Sequence, residues 1–141
     1  MNTKPINNPS ESMFSVEDLV AYNGHACRIT GIRNGIFLLP VEGKEEIRAE
    51  ACDILDIEIT EDTLKKNRFV NLANHTLLGP QWRLVNPKDE CNSMNLRVHK
   101  FIQVTYLDDR VYEISMTQYA STLRELQHAL TANHFKIRLE Y

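Results

Sequence analysis

Cysteine, glycine and long apolar runs are all scarce in this sequence, and each shortage argues against a class of protein. The chain has three cysteines among 141 residues, at Cys27, Cys52 and Cys91, with no Cys-x-x-Cys pair. This number and spacing argue against a disulfide framework or a structural zinc site and predict reduced thiols in a cytoplasmic protein. The five glycines are scattered singly and form no phosphate-binding loop. No apolar run approaches the ~20 residues that span a bilayer, so no membrane association is expected.

The first twelve residues, MNTKPINNPSES, hold almost nothing that a core could bury. They lack the apolar centre of a secretory signal, and we predict a disordered tail over 1–12. Elsewhere the composition is typical of a globular protein, with 43% hydrophobic and 25% charged residues. The length indicates one compact domain or two very small ones.

Acidic and basic residues are unevenly distributed along the chain. Residues 1–64 hold five basic and twelve acidic side chains, a net charge of −7, whereas residues 65–141 hold eleven and seven, a net charge of +4. The basic half could face a polyanion, or the two halves could complement each other within one chain or across a dimer. The pI of about 5.9 favours the second interpretation, because nucleic-acid domains are usually basic.

Two Asn-Gly pairs, Asn23-Gly24 and Asn34-Gly35, lie between apolar segments. Asn-Gly suits type I′ hairpin turns, in which both central residues need positive φ. The spacing predicts three antiparallel strands over 18–22, 25–33 and 36–41, with Gly31 marking a bulge or bend. Together with short strands up to residue 59, these predict an SH3-like small barrel or meander over 13–59. The alternative is an open sheet that the second half of the chain covers.

The rest of the chain, 60–141, reads as an α+β subdomain that begins with a two-turn helix capped by Thr60. Alternating apolar residues predict three or four antiparallel strands interrupted by a loop over 86–93. A helix is predicted over 117–133, with Tyr119, Leu123, Leu126 and Leu130 on its apolar face. The strict alternation after it predicts a terminal strand over 135–141, which joins the sheet, forms its edge or pairs with another subunit. The predicted fold class is therefore α+β, with an antiparallel sheet packed by one helix.

Two segments resemble a group of uncharacterised small proteins of gut bacteria and their mobile elements. The run from Ile57 to Phe69 is similar to their "I-P-L-T-E-E-x-L-x-x-N-G-F" connector, and 123–130 is similar to their "H-x-L-Q-x-x-x-x-A-L" helix. Arg68 stands where a glycine is usual, so Asn67 is expected to take the left-handed conformation that ends the helix. Arg124 stands where a histidine is usual. The resemblance implies no activity; it implies a cytoplasmic protein of phage or conjugative-element origin.

The sequence contains no recognisable catalytic, cofactor-binding or metal-binding motif, so we predict no enzyme activity, no cofactor and no metal. A nucleophile and base would have to meet in space, and nothing in the sequence brings Cys91 and His99 together. A metal site formed by His75, Cys91, His99 and His128 has no recognised ligand spacing.

The candidate nucleic-acid contacts are basic side chains near aromatic ones. They are Arg83, Arg97, His99, Lys100 and Arg110, with Trp82 and Tyr106 as stacking groups. Trp82 and Tyr106 also fall on the apolar registers of the predicted strands, which favours a place in the core instead.

The function that we predict is a non-catalytic accessory or protein-interaction module. Its candidate contact surfaces are the terminal strand 135–141, which could also mediate dimerisation, and the apolar run 36–39. The alternative is a weak nucleic-acid-binding protein of a phage or mobile element. The sequence identifies no specific partner.

Overall fold

The computed structural model describes residues 1–72, 80–93, 96–108, 110–115 and 117–141, and of residues 86–93 and 96–100 it describes the main chain only. The described chain is mixed α+β, as predicted, with most of its regular structure in strands. In chain order the strands are β1 (Thr3–Lys4), β2 (Leu19–Tyr22), β3 (His25–Ile32), β4 (Ile36–Pro40), β5 (Ile47–Ala49), β6 (Asp56–Ile57), β7 (Val70–Asn71), β8 (Gln81–Ser93), β9 (Leu96–Tyr106), β10 (Tyr112–Ile114) and β11 (Gln118–Ala120). The α-helices are α1 (Glu61–Lys66) and α2 (Leu123–Ala132).

The described strands form three antiparallel sheets. The N-terminal sheet has the order β2-β3-β4-β5, and the C-terminal sheet has the order β11-β10-β9-β8-β7. A third, two-stranded sheet pairs β1 with β6. The pairing of β1 corrects the prediction of a disordered tail over 1–12, because the main chain of Thr3 and Lys4 completes a short ladder with β6.

The three strands predicted around the Asn-Gly pairs are confirmed to within two residues at each end. Asn23 and Gly24, with φ of 49° and 77°, are the two loop residues between β2 and β3, as a type I′ turn requires. The second loop has three residues, because Ile32 pairs with Ile36. A register shift beside Gly31 confirms the bulge expected in the middle strand.

The SH3-like barrel is not confirmed, because the described strands of the N-terminal sheet do not close. β2 and β5 are the two edges of this sheet and do not pair with each other. The free edge of β2 is occupied instead by Leu55, which exchanges two main-chain hydrogen bonds of 2.8 and 2.9 Å with Ala21. With that edge taken, β5 has no strand to meet, and the meander stays an open sheet.

The predicted loop over 86–93 lies within the long strand β8. The ladder between β8 and β9 continues through this region with a register shift between Asn86 and Glu90. Pro87, which has no N–H to donate, lies among the residues that this shift leaves out of the register. The bulge therefore absorbs the residue that made the segment resemble a loop.

The helix α1 begins as predicted, at a Thr60 cap whose hydroxyl accepts the Thr63 N–H at 3.2 Å. Its end differs from the prediction, since Arg68 has the left-handed φ of 67° while Asn67 has a φ of −91°. Asn67 is instead free to direct its carboxamide elsewhere, as described below.

The second helix is shorter than the predicted 117–133, because Thr122 caps it and accepts the Glu125 N–H at 3.3 Å. Tyr119 lies in β11 and is 63% exposed, so it is not part of the apolar helix face. Arg124 on α2 forms a buried ion pair with Asp56 through two hydrogen bonds of 2.8 and 2.9 Å. The hydrogen bond to Asp56 raises the pKa of Arg124, although burial opposes it.

Both faces of β2 are buried, so this strand separates two hydrophobic cores. Val20 belongs to the core under the N-terminal sheet. Leu19 and Ala21, which alternate with it, belong to the larger core against the C-terminal sheet and α2, together with Trp82 and Leu126. Packing therefore joins the two sheets through one shared strand.

Candidate interaction cleft beside the C-terminal segment

The C-terminal segment, residues 134–141, is the structural basis of the candidate site. Burial alternates along it, with Phe135 and Leu139 buried and Lys136 and Arg138 exposed. Such alternation is typical of an extended chain that packs one face on a core. The segment forms no ladder with any strand in the described part of the chain. The prediction that 135–141 joins the sheet as a strand is therefore wrong.

Two buried carboxamides, Gln127 on α2 and Asn67 after α1, take the place of a neighbouring strand. Gln127 Nε2 donates to the Ile137 carbonyl at 2.8 Å, and its Oε1 accepts the Leu139 N–H at 2.9 Å. Asn67 Nδ2 donates to the Glu140 carbonyl at 2.8 Å, and its Oδ1 accepts the Glu140 N–H at 2.7 Å. Each side-chain amide offers one face of donor and acceptor, so it satisfies main-chain groups as a peptide unit would.

Arg28 of β3 is a third anchor and ties the C-terminal segment to the N-terminal sheet. Its Nη2 donates to the Leu139 carbonyl at 2.7 Å, and its Nη1 donates to the Glu17 carbonyl at 2.9 Å. The guanidinium also lies 3.3 Å from a carboxylate oxygen of Glu140. Burial and the nearby Arg138 charge lower the pKa of Arg28, while Glu140 and Glu17 oppose that change.

The edge of the segment that faces Asn67 carries main-chain groups that the fold leaves open. Successive residues of an extended chain direct their N–H and C=O groups to alternate edges. Since Glu140 uses the edge toward Asn67, the same edge carries the main-chain groups of Lys136 and Arg138. None of these four groups has a hydrogen-bond partner among the residues that the structure describes.

A cleft of about 500 Å³, here called the interaction cleft, lies along this open edge. It is bounded by the end of α1, by β7 and β8, and by the C-terminal segment. Its cationic lining residues are Lys66, Arg68, Lys136 and Arg138, and its exposed apolar ones are Val70 and Val85.

The interaction cleft carries an excess of positive charge. Its described lining includes one acidic side chain, Glu140, which already lies 3.4 Å from Arg138 and 3.3 Å from Arg28. The charged groups of Lys136 and Arg68 have no hydrogen bond or ion pair with a described residue. Two cations are therefore available to an incoming group of opposite charge.

The apolar part of the cleft lies at the margin of the C-terminal sheet. β7 is the last strand of that sheet and pairs only with β8 among the described strands. Val70 is 62% exposed and Val85 is 44% exposed. Exposed apolar side chains beside an open strand edge are features of a surface that binds another chain.

A second cleft, of about 870 Å³, lies on the other side of the C-terminal segment and contains an aspartate–histidine pair. Asp18 is fully buried; its Oδ2 accepts the Ser15 N–H and contacts His128 Nε2, both at 2.8 Å, while Oδ1 has no partner among the described residues. Within the described residues no hydroxyl or thiol hydrogen-bonds to His128. The pair therefore links α2 to the turn before β2 and activates no nucleophile in this arrangement.

The predicted nucleic-acid contacts are not gathered into one described cluster. The Arg83 guanidinium stacks on the Phe101 ring at 4.3 Å, and Arg110 pairs with Glu58 at the β9–β10 turn. The side chains of Arg97, His99 and Lys100 lie outside the described residues. Trp82 is 1% exposed and belongs to the core.

Other sequence candidates are placed as follows. Tyr106 packs edge-on against Tyr112, with ring centroids 5.2 Å apart. Ile36 and Leu38 of the apolar run 36–39 are fully buried. Cys91 pairs in register with Val98 rather than with His99, and these side chains, like residue His75, lie outside the description.

Sequence reasoning missed Gln127 and Asn67, which hold the segment in place. A usable signal exists for Gln127, because it follows Leu123 by four residues and precedes Leu130 by three, inside the apolar face of α2. A polar residue at such a position requires a buried hydrogen-bond partner.

Comparisons with known proteins return nothing for this chain: no protein-family model, curated protein or solved structure matches it. Among the described residues, no group of three or more histidine, cysteine, aspartate or glutamate side chains could hold a metal ion. None of the described helices has the length and apolar character needed to cross a membrane.

Proposed function

We propose that this protein is a non-catalytic protein-interaction module whose partner binds in the interaction cleft. The observation that supports it is the open main-chain edge at Lys136 and Arg138, which faces exposed apolar side chains across a cationic cleft. An extended partner that joins such an edge gains main-chain hydrogen bonds, and alternate side chains supply specificity. The mobile-element origin and the cytoplasmic location stay predictions from the sequence.

The carboxamide anchors support this proposal, because they stabilise the segment without using the edge. A β-ladder partner from the same chain could have paired with Lys136 and Arg138, and a partner protein would then have had nothing to bind. Gln127 and Arg28 hold the other edge, and Asn67 takes only Glu140. The fold thus keeps a rigid extended segment with one side open, which lowers the entropy cost of binding.

Site-specific photo-crosslinking in the cells that make the protein tests the proposal. p-Benzoylphenylalanine replaces Val70 in the cleft in one variant, and Ile47 on the N-terminal sheet, which is 37% exposed, in a matched control. We expect a defined protein adduct at position 70 and none at position 47. The absence of any protein adduct at position 70, or the same adducts at both positions, would contradict an interaction role for the cleft.

A weak nucleic-acid-binding function is the second candidate, and one observation favours it. Arg83 stacks on Phe101, which is 48% exposed on the face of the C-terminal sheet opposite the core. Guanidinium and aromatic groups on a sheet face bind single strands by stacking and charge. Fluorescence anisotropy with a labelled oligonucleotide should then show binding that weakens as salt rises, and a flat titration at low salt would remove this candidate.

A further inference from the structure

We propose that the occupant of the interaction cleft is a short acidic peptide that adds as a strand to the edge of Lys136 and Arg138. This inference rests on the proposed function and specifies the chemistry of the partner. Main-chain pairing sets how the peptide lies, and the cations of the cleft set its charge.

The length of the open edge limits how much of the peptide can pair. At one end, Asn67 already occupies both main-chain groups of Glu140. At the other end, His134 has a left-handed φ of 62°, and the Phe135 N–H is bonded to the Leu130 carbonyl at 2.8 Å. Only Lys136 and Arg138 remain, so the paired part of the peptide spans about four residues at the usual strand spacing.

The charge of the cleft selects an acidic peptide over a neutral or basic one. Lys136 and Arg68 have unpaired charges, while the acidic residue of the lining, Glu140, is already paired with arginines. Arg68 is held at the rim by its left-handed backbone, which directs the chain away from β8 after α1. Carboxylates at alternate positions of the peptide can therefore contact cations on the rim of the cleft.

The main-chain chemistry favours a peptide over a nucleic acid. Lys136 and Arg138 present two N–H donors and two C=O acceptors along one edge, and a peptide strand matches both kinds of group. A phosphate backbone offers acceptors only and would leave the two carbonyls unmatched. Val70 and Val85 also favour a chain with apolar side chains between its acidic ones.

Peptide titration followed by amide NMR on the full chain tests the inference. The probe is acetyl-Glu-Val-Glu-Val-Glu-amide, compared with the matched Lys-Val-Lys-Val-Lys peptide and with the acidic peptide N-methylated at its main-chain nitrogens. We expect the acidic peptide alone to shift the amide signals of Lys136 and Arg138. Lys136→Glu should weaken binding at least about tenfold. The control Lys44→Glu, at an exposed lysine in the loop before β5, should leave binding unchanged.

Several results would overturn the inference. They are equal binding of acidic and basic peptides, full binding by the N-methylated peptide, or no shift at residues 136 and 138. A shift of the same signals by an oligonucleotide instead of the peptide would assign the cleft to nucleic acid. If photo-crosslinking at Val70 traps a partner while the acidic peptide does not bind, the interaction function stands and the acidic-peptide inference fails.

Discussion

Replacing Gln127 by methionine should detach the C-terminal segment from α2 and lower the free energy of unfolding. Methionine has nearly the same length and volume as glutamine, so the packing of α2 is preserved and only the two hydrogen bonds are lost. One of those bonds satisfies the Leu139 N–H, and the other satisfies the Ile137 carbonyl. A buried group left without a partner costs about 1–3 kcal/mol, and a more accessible one costs about 1 kcal/mol. The expected loss is therefore roughly 2–4 kcal/mol.

Equilibrium unfolding in urea measures this loss, with the fluorescence of the single tryptophan as the signal. Trp82 is 1% exposed, so its emission should move to longer wavelength when the chain unfolds. Gln103→Met is the matched control, because the Gln103 side chain makes no hydrogen bond within the described residues. The control should stay within about 0.5 kcal/mol of the parent protein. A Gln127→Met protein as stable as the control would refute the role assigned to this carboxamide.

Three further outcomes follow from buried groups. Burial, aided by neighbouring charge, raises the pKa of Tyr112 to about 12, so stability present below pH 10 should fall by roughly 2–3 kcal/mol between pH 10 and 12, as urea unfolding can measure, and Tyr112→Phe should abolish that part of the fall. Burial also raises the pKa of Cys27, so peptide mapping after iodoacetamide treatment should find Cys52 alkylated and Cys27 intact, and equal labelling would contradict the fold. Arg124→Met should cost about 3–5 kcal/mol in urea unfolding by leaving Asp56 unpaired, and adding Asp56→Leu should recover part of the loss; no recovery would contradict the pairing.

Local sequence signals predicted local structure well. The Asn23-Gly24 pair requires positive φ at two consecutive residues, and that requirement determines the first hairpin whatever surrounds it. Thr60 likewise caps α1 through groups only three residues away. The capping signal of Thr122 and Glu125 was also present and places the start of α2 correctly. The apparent match of Tyr119 to the helical period obscured it.

The candidate site could not be predicted in the same way, because it depends on groups distant in sequence. Asn67 contacts Glu140 across 73 residues, and Arg28 contacts Leu139 across 111. Strict alternation predicted an extended chain over 135–141, and its burial alternates accordingly. Periodicity could not reveal that side-chain amides, rather than a strand, would be its neighbours.

Amide hydrogen exchange of the free protein, resolved by NMR, tests the central claim most directly, namely that the C-terminal segment is anchored on one side and open on the other. The account predicts slow exchange for Leu139 and Glu140, whose N–H groups are bonded to Gln127 and Asn67. It predicts exchange near the unfolded-chain rate for Lys136 and Arg138. Equal protection of all four amides, or no protection of any, would contradict it.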